Sequence, residues 1–126
     1  MRDMTNQVFF CDTYALIEII NGNTSYAKYV DFILLTSDYN LIELHYAFLR
    51  DYNKKTADHF FDQWSTFLVR ISHEVIKQAM EFKLAYKQEN LSYVDCIGYS
   101  FSQQHGIKFL TGDIKFKDKP GVEFVK

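Results

Sequence analysis

Residues 91–113, LSYVDCIGYSFSQQHGIKFLTGD, predict a helix, a tight turn and a strand in direct succession. Ser92 is a preferred N-cap residue, and Asp95 three positions later completes an S-x-x-D capping pattern. Gly106 is expected to end the helix, because glycine readily adopts the left-handed conformation found just after a helix. The β-prone run at 107–110 then predicts a strand, and Thr-Gly-Asp at 111–113 predicts the turn that ends it.

The remainder of the chain alternates apolar runs with helical patterns in the same way. Apolar runs predict strands at 8–11, 32–36 and 67–71, and an edge strand at 122–125. Apolar spacing predicts helices over 14–20, from Thr24 to about 30, over about 39–52, from Thr56 to about 64, and over 73 to about 89. Strands separated by helices require crossover connections, so we expect an α/β fold whose mainly parallel central sheet has four to five strands and is covered on both faces. The length of 126 residues predicts a single domain over 1–126.

Composition narrows the classes of protein that fit. The net charge of −2 provides no overall basic field, so any contact with RNA must depend on a local patch. No apolar run is long enough to span a membrane, and the polar opening at 1–7 has no signal-peptide pattern. Cys11 and Cys96 form neither a C-x-x-C motif nor a disulfide framework. These features predict a cytoplasmic protein with two reduced, buried thiols.

Four acidic residues are expected along one edge of this sheet. Asp12 follows the first strand, Asp113 follows the last crossover strand, and Asp95 opens the helix before that strand. Glu43 lies in the helix after the second strand. In α/β sheets, ligands bind at the carboxyl ends of the strands, which is where these acids fall. Each acid also has a purely local interpretation, as a helix cap, a solvated helix residue, a capping-box residue or a turn residue.

The joint interpretation points to metal chemistry. Four crowded carboxylates repel one another unless cations neutralise them. Hard oxygen ligands of this kind suit Mg²⁺ or Mn²⁺. Such a site supports metal-assisted phosphodiester hydrolysis, in which one ion activates water and another stabilises the leaving oxygen.

Several motifs resemble the PIN domain family, and within it the VapC-like toxins of type II toxin–antitoxin pairs. They are D-T-Y-A-L-I-E at 12–18 after an apolar strand, the helical Glu43, S-Y-V-D at 92–95, and L-T-G-D at 110–113 followed by Phe116. The resemblance implies an α/β/α sandwich and an Mg²⁺- or Mn²⁺-dependent endoribonuclease that cleaves single-stranded or looped RNA, leaving a 3′-hydroxyl and a 5′-phosphate. Tyr14 departs from the pattern, because many members carry a small polar residue there.

The resemblance also implies roles for individual residues. The family's metal-site acids fall on Asp12, Glu43, Asp95 and Asp113. Asp12, Asp95 and Asp113 would hold the principal ion, and Glu43 would hold a second ion or orient the attacking water. Thr111 matches the family's hydroxyl residue and would steady Asp113 or contact a metal-bound water.

A basic segment follows the last acid. Lys115, Lys117 and Lys119 alternate along the chain, so in an extended conformation they would share one side and could bind RNA phosphates. Lys115 and Lys117 are the stronger candidates for RNA contact. An ordinary solvated loop is the alternative, since Asp118 and Glu123 dilute the charge.

A toxin of this kind implies an antitoxin protein partner. Its helix could dock on aromatic residues of the third and fourth helices, namely Tyr46, Tyr52, Phe60, Phe61 and Trp64. These residues could instead build the core or the seam of a homodimer, which is the expected oligomer. Three other functions stay open: a PIN nuclease of RNA processing or turnover without an antitoxin, a catalytically inactive binding module, and a signalling receiver domain. The receiver is disfavoured, because it needs an acidic pair where Asp12-Thr13 stands.

Overall fold

The computed structural model describes residues 7–126, so six of the seven polar opening residues lie outside it. Its sheet consists of four parallel strands in the order β2-β1-β3-β4. The strands are β1 (Val8–Cys11), β2 (Ile33–Leu35), β3 (Lys108–Thr111) and β4 (Val122–Phe124). The predicted α/β class with a mainly parallel sheet is confirmed, and β4 is the edge strand that the tail predicts.

Five α-helices cover the sheet within the described residues. They are α1 (Thr13–Ile20), α2 (Asp38–Asp51), α3 (Lys54–Trp64), α4 (His73–Ala85) and α5 (Tyr93–His105). Short 3₁₀ segments connect them at Thr24–Asp31, Ser65–Phe67, Lys87–Glu89 and Ile114–Phe116. The segment at 24–31 therefore replaces the predicted second helix, and Asn23 caps it in place of Thr24.

The alternation of side chains along β1 separates two cores. Phe9 and Cys11 point into one core, together with apolar residues of α1, α2 and α3. Phe10 points into the other core, together with residues of α4 and α5. Successive side chains of a strand face opposite sides of the sheet, so this one run of four residues anchors both helical layers. The arrangement is the three-layer α/β/α sandwich.

Capping residues place most helices where the sequence predicts them. Ser92 caps α5, since its Oγ accepts a hydrogen bond from the Asp95 N–H at 3.0 Å. Gly106 ends α5 in the left-handed conformation, with φ of 65°. At α3 the prediction is wrong by three residues, because the side chain of Asn53 caps the helix and accepts from the Thr56 N–H at 2.8 Å.

Two further sequence predictions need correction. The helix predicted to reach residue 89 ends at Ala85, and Asn90 then turns the chain towards α5 in the left-handed conformation, with φ of 54°. The strand predicted at 67–71 does not form. Its only pairing to the described sheet is a single parallel bridge between Leu68 and Thr36. Thr36 lies just after β2, which is only three residues long, so the segment at 67–71 has no further strand residues to pair with.

Both cysteines are buried and free, as their spacing predicts. No helix within 7–126 combines the length and apolarity needed to cross a membrane.

Candidate active site

Asp12 lies at the carboxyl end of β1 and is almost completely buried, with 1% of its surface exposed. It caps α1, because its Oδ1 accepts a hydrogen bond from the Ala15 N–H at 2.8 Å. Its own N–H donates to the Leu110 carbonyl at 3.2 Å, which fixes it against β3. The local interpretation as a helix cap therefore holds, and the cap lies at the predicted edge of the sheet.

Thr111 links two of the predicted acids. Its hydroxyl donates a hydrogen bond to Oδ2 of Asp12 and accepts one from the Asp113 N–H at 3.0 Å. Because this one hydroxyl joins the carboxyl end of β1 to the carboxyl end of β3, the position of Asp113 depends on that of Asp12. Sequence reasoning predicted that Thr111 steadies Asp113 but missed its bond to Asp12.

Glu43 is held by a chain of hydrogen bonds that sequence reasoning missed. Its Oε1 accepts from the Thr13 hydroxyl at 2.6 Å. Thr13 in turn accepts from Nδ2 of Asn40 at 3.2 Å, and Oδ1 of Asn40 accepts from the Ser37 hydroxyl at 2.6 Å. Asn40 is fully buried, although it is a polar residue beside Leu41 on α2. A buried amide requires partners, and in the sequence the only signal was this polar residue within an apolar pattern.

Asp95 and Asp113 approach the same edge from two other elements. Asp95 lies in the first turn of α5, and Asp113 follows β3. Oδ1 of Asp113 accepts from the Lys115 N–H at 3.0 Å, which starts the 3₁₀ turn at Ile114–Phe116. The turn residue predicted from Thr-Gly-Asp is thus also the residue that aims the next segment of chain.

The electrostatics show that these carboxylates influence one another. Burial raises the pKa of Asp12 to about 8; the bonds from Thr111 and Ala15 lower it, and the charges of Asp95 and Asp113 raise it further. Burial also raises the pKa of Asp95 to about 6, where the Ser92 hydrogen bond opposes the charges of Glu43 and Asp113. The charges of the other predicted acids therefore act on Asp12 and on Asp95, the two carboxyl groups that burial affects most.

The donor chemistry of this set fits a divalent cation. Within 7–126, no three His, Cys, Asp or Glu side chains are placed to hold a metal ion as they stand. Mg²⁺ does not need such a closed cage, because it usually keeps several waters and is bound through one or two carboxylates. A cation would also favour the ionised forms of Asp12 and Asp95, whose pKa values burial and mutual repulsion raise. The acids present therefore fit Mg²⁺ or Mn²⁺.

The basic segment after Asp113 is not extended, so its lysines do not share one side. Phe116 is fully buried and anchors the 3₁₀ turn. Lys115 Nζ donates to the Asn90 carbonyl at 3.1 Å, whereas Lys117 Nζ lies 5.7 Å from the ring centroid of Phe124. Lys119 Nζ pairs with Glu89 at 2.8 Å. Lys115 and Lys119 thus reach neighbouring residues, whereas Lys117 lies apart from both.

A cleft of about 500 Å³ lies between α2 and α3. Its lining is mainly apolar with two acids at the rim: Ile42, His45, Tyr46, Leu49, Asp58, Phe61 and Asp62. Of the aromatic residues predicted to form a groove, Tyr46 is largely exposed and Phe61 lines the cleft, whereas Trp64 is buried in the core. His45 Nε2 contacts Asp58 Oδ1 at 2.8 Å, which bridges the two helices.

Comparison with known proteins agrees with this fold. The family model of the PIN domain matches residues 9–122. Comparison with curated protein sequences gave no significant match.

Three solved structures illustrate the structural similarity. VapC20 of Mycobacterium tuberculosis, described as a sarcin-ricin loop cleaving toxin, superposes with a TM-score of 0.79 at 18% identity, covering 94% of this chain and 99% of that one. VapBC2 of Rickettsia felis, bound to a DNA fragment from its promoter, superposes with a TM-score of 0.75 at 20% identity, covering 95% of this chain and 100% of that one. A toxin–antitoxin complex from Klebsiella pneumoniae superposes with a TM-score of 0.71 at 20% identity, covering 94% of this chain and 96% of that one. At these identities the likeness establishes the fold.

Proposed function

The chain belongs to the PIN domain family, and from that membership we propose that it is a metal-dependent endoribonuclease acting on single-stranded or looped RNA. The observation that carries the proposal is that the Thr111 hydroxyl joins Asp12 and Asp113 at the carboxyl ends of β1 and β3, with the charge of Asp95 acting on Asp12. Hydrolysis of a phosphodiester by water would break the bond to the 3′ oxygen and leave a 3′-hydroxyl and a 5′-phosphate. We propose Mg²⁺ or Mn²⁺ as the cofactor.

The acids divide the work according to how each is held. Asp12, Asp95 and Asp113 would hold the ion, directly or through its bound waters, and the ion would activate water and neutralise charge on the leaving oxygen. Thr111 fixes the Asp12 carboxylate relative to the backbone of Asp113, because its hydroxyl donates to the former and accepts from the Asp113 N–H. Glu43 is oriented by Thr13 and would accept a proton from the attacking water or hold a second ion.

Cleavage of RNA by the purified chain tests this function directly. Total cellular RNA is incubated with Mg²⁺ or Mn²⁺, with and without a chelator, and the cut ends are mapped. We expect metal-dependent cuts that carry 5′-phosphates. Folded Asp12→Asn and Asp95→Asn variants should lose cleavage by on the order of a hundredfold or more. Asp31→Asn is the matched control, since this exposed acid precedes β2 at the opposite edge of the sheet. Full metal-dependent activity in either of the first two variants would refute the assignment.

We further propose that the nuclease is the toxin of a type II toxin–antitoxin pair. Two of the similar structures are described as toxin–antitoxin assemblies, and their overlap with this chain is nearly complete. The cleft between α2 and α3 suits an amphipathic antitoxin helix, because it offers an apolar floor with the carboxylate of Asp62 at its rim for a basic residue. The helix α2 that forms this cleft also carries Glu43, so a bound partner would lie beside the acidic set.

The partner proposal is tested with the product of any short reading frame next to the gene. Copurification with that protein, lost in Tyr46→Ala but kept in Tyr52→Ala, supports docking in the cleft, because both tyrosines are exposed and only Tyr46 lines it. The absence of such a neighbouring frame would favour the second candidate, a PIN nuclease of RNA processing or turnover. Homodimerisation and a cytoplasmic location remain predictions, which light scattering and cell fractionation would measure.

A further inference from the structure

Three lysines, one from α4 and two from the segment between β3 and β4, converge on residues 89–91, which lead into α5. Lys119 Nζ donates to the carboxylate of Glu89 at 2.8 Å. Lys115 Nζ donates to the Asn90 carbonyl at 3.1 Å, and Lys83 Nζ donates to the Leu91 carbonyl. Because the three acceptors belong to consecutive residues, three positive charges gather around this short segment.

An exposed aromatic ring lies immediately after this segment. Tyr93 opens α5 two residues before Asp95, and 64% of its surface is exposed. Lys83 Nζ lies 4.7 Å from the centroid of its ring. The same ammonium group is tied to the Leu91 carbonyl, so the ring has a fixed cationic neighbour. An exposed tyrosine held in this way presents a flat surface next to a positive charge.

Lys115 connects this aromatic surface to the acidic set. Its backbone N–H donates to Oδ1 of Asp113 at 3.0 Å, while its side chain reaches Asn90. Its charge also lowers the pKa of Asp95. Lys115 thus lies between the acids and the start of α5.

Lys119 differs from the other two. Its side chain is only 13% exposed, pairs with Glu89 and lies 4.4 Å from the ring centroid of Tyr86. The charge of Lys119 is neutralised by Glu89. The ammonium groups of Lys83 and Lys115 instead donate hydrogen bonds to uncharged backbone carbonyls. Each of these two ammonium groups has three N–H donors, so donors remain for a ligand.

We propose that Tyr93, Lys83 and Lys115 form an RNA-binding rim beside the acidic set, a proposal that rests on the nuclease function above. The Tyr93 ring stacks on one unpaired base, and the two ammonium groups bind the phosphates next to it. Stacking of bases on aromatic side chains and pairing of lysines with phosphates are the two interactions by which proteins bind single strands. A base within a duplex cannot reach an exposed ring in this way, so the rim selects single-stranded or looped RNA.

Binding of a labelled RNA tests the rim separately from cleavage. The Asp12→Asn chain, which should not cut, is titrated against a fluorescein-labelled single-stranded RNA of about 12 nucleotides, and anisotropy is followed at several salt concentrations. Tyr93→Ala in this background should weaken binding roughly tenfold, whereas Tyr93→Phe should stay within about twofold, because the ring remains. Lys83→Gln should reduce the slope of log affinity against log salt by about 0.7, the value for one phosphate contact on a single strand.

Matched controls lie away from the rim. Tyr52→Ala removes a tyrosine that is 59% exposed at the far end of α2, and Lys108→Gln removes an exposed lysine at the start of β3, opposite the acids. Both should bind RNA like the parent. Lys83→Arg should keep the salt slope of the parent, since it retains the charge and the donors. Circular dichroism and melting of each variant identify any loss of folding; if Lys83→Gln is unfolded, the Tyr93→Ala and Tyr93→Phe pair decides.

The outcomes separate the two proposals. If the wild type cleaves RNA but Tyr93→Ala and Lys83→Gln bind as the parent does, the rim is refuted and the nuclease function stands. Equal weakening by Tyr93→Ala and Tyr52→Ala also refutes the rim, because the effect would not depend on position. If the wild-type chain neither binds nor cleaves RNA, the nuclease function and the rim fail together.

Discussion

The hydroxyl of Thr111 donates a hydrogen bond to the buried carboxylate of Asp12, joining the ends of β3 and β1 through their side chains. The same hydroxyl accepts from the Asp113 N–H. One residue therefore sets the relative position of two of the four acids. A hydroxyl is needed here, because only a group that both donates and accepts can make these two bonds.

Thr111→Val should disturb the acidic set without changing the shape of the side chain greatly. The buried Asp12 carboxylate loses a donor that lowers its pKa, so that pKa should rise further. We expect a loss of about 1–3 kcal/mol in the free energy of unfolding, and an RNA cleavage profile whose acidic limb moves to higher pH. Thr111→Ser should restore both properties. Thr66→Val, which removes an exposed threonine hydroxyl bonded to the Gln63 carbonyl, should change neither; an unchanged pH profile in Thr111→Val would contradict the prediction.

Asn40→Ala should release Glu43 from the acidic set. The amide of Asn40 donates to Thr13, whose hydroxyl donates to Glu43. Without the amide, the Ser37 hydroxyl also loses its acceptor in a buried place, so the free energy of unfolding should fall by about 1–3 kcal/mol.

RNA cleavage by Asn40→Ala, measured well below the melting temperature of this variant, should also fall, because Glu43 is no longer held in place. Asn21→Ala at the exposed end of α1 is the control. If cleavage by folded Asn40→Ala matches that of the wild type, the hydrogen-bond chain has no part in positioning Glu43.

The stability of the metal-free chain should depend on pH with a definite sign. Asp12 and Asp95 have pKa values of about 8 and about 6 in the folded state, against 3.8 as their ordinary value. Between these limits the folded state binds more protons than the unfolded state, so stability falls as pH rises. The contribution is fully present below about pH 4 and is lost as pH passes through about 6 for Asp95 and about 8 for Asp12.

Thermal melting in chelator checks this sign. The difference in melting temperature between Asp12→Asn and the wild type should increase from about pH 5 to about pH 8, because asparagine does not ionise. Added Mg²⁺ should raise the wild-type melting temperature more at the higher pH, where both carboxylates are ionised. Asp31→Asn should follow the wild-type profile throughout. A constant difference between Asp12→Asn and the wild type would mean that Asp12 ionises normally in the folded chain.

Gly112→Ala should damage the end of β3 through packing. A Cβ at this position would lie 2.2 Å from Cε1 of Tyr14 and 2.6 Å from the carbonyl oxygen of Val125. We expect a loss of about 1–3 kcal/mol in the free energy of unfolding, with reduced RNA cleavage because Asp113 is the next residue.

A second substitution checks the cause. Tyr14→Ala combined with Gly112→Ala should recover part of the cleavage, since it removes the ring but leaves the carbonyl contact. If Gly112→Ala has wild-type stability, the Tyr14 ring and the Val125 backbone can shift away from the added methyl group without cost. The same contact explains why Tyr14 is compatible with the fold, since its ring packs over Gly112.

Local sequence patterns predicted secondary structure correctly where neighbouring residues alone decide the element. The continuous run at Val8–Cys11 and the helix–turn–strand unit of α5 and β3 formed as expected, with Ser92 and Gly106 as caps. The run at 67–71 was misleading, because its β-propensity says nothing about whether a neighbouring strand is long enough to pair with it. The extended conformation considered for the lysines after Asp113 is wrong for a related reason, since burial of Phe116 imposes a 3₁₀ turn on an alternating pattern.

The sequence by itself determined which acids stand at the ends of strands, because the periodicity of apolar residues and the capping residues act over a few neighbouring positions. It therefore predicted Asp12, Glu43, Asp95 and Asp113 as a group, and the sandwich that could unite them. Only the tertiary structure decided that Thr111 bonds to Asp12, that Asn40 supports Thr13 and Glu43, and that Lys83 meets Tyr93. Hydrogen bonds between residues far apart in sequence depend on how the layers pack, and no local pattern encodes those distances.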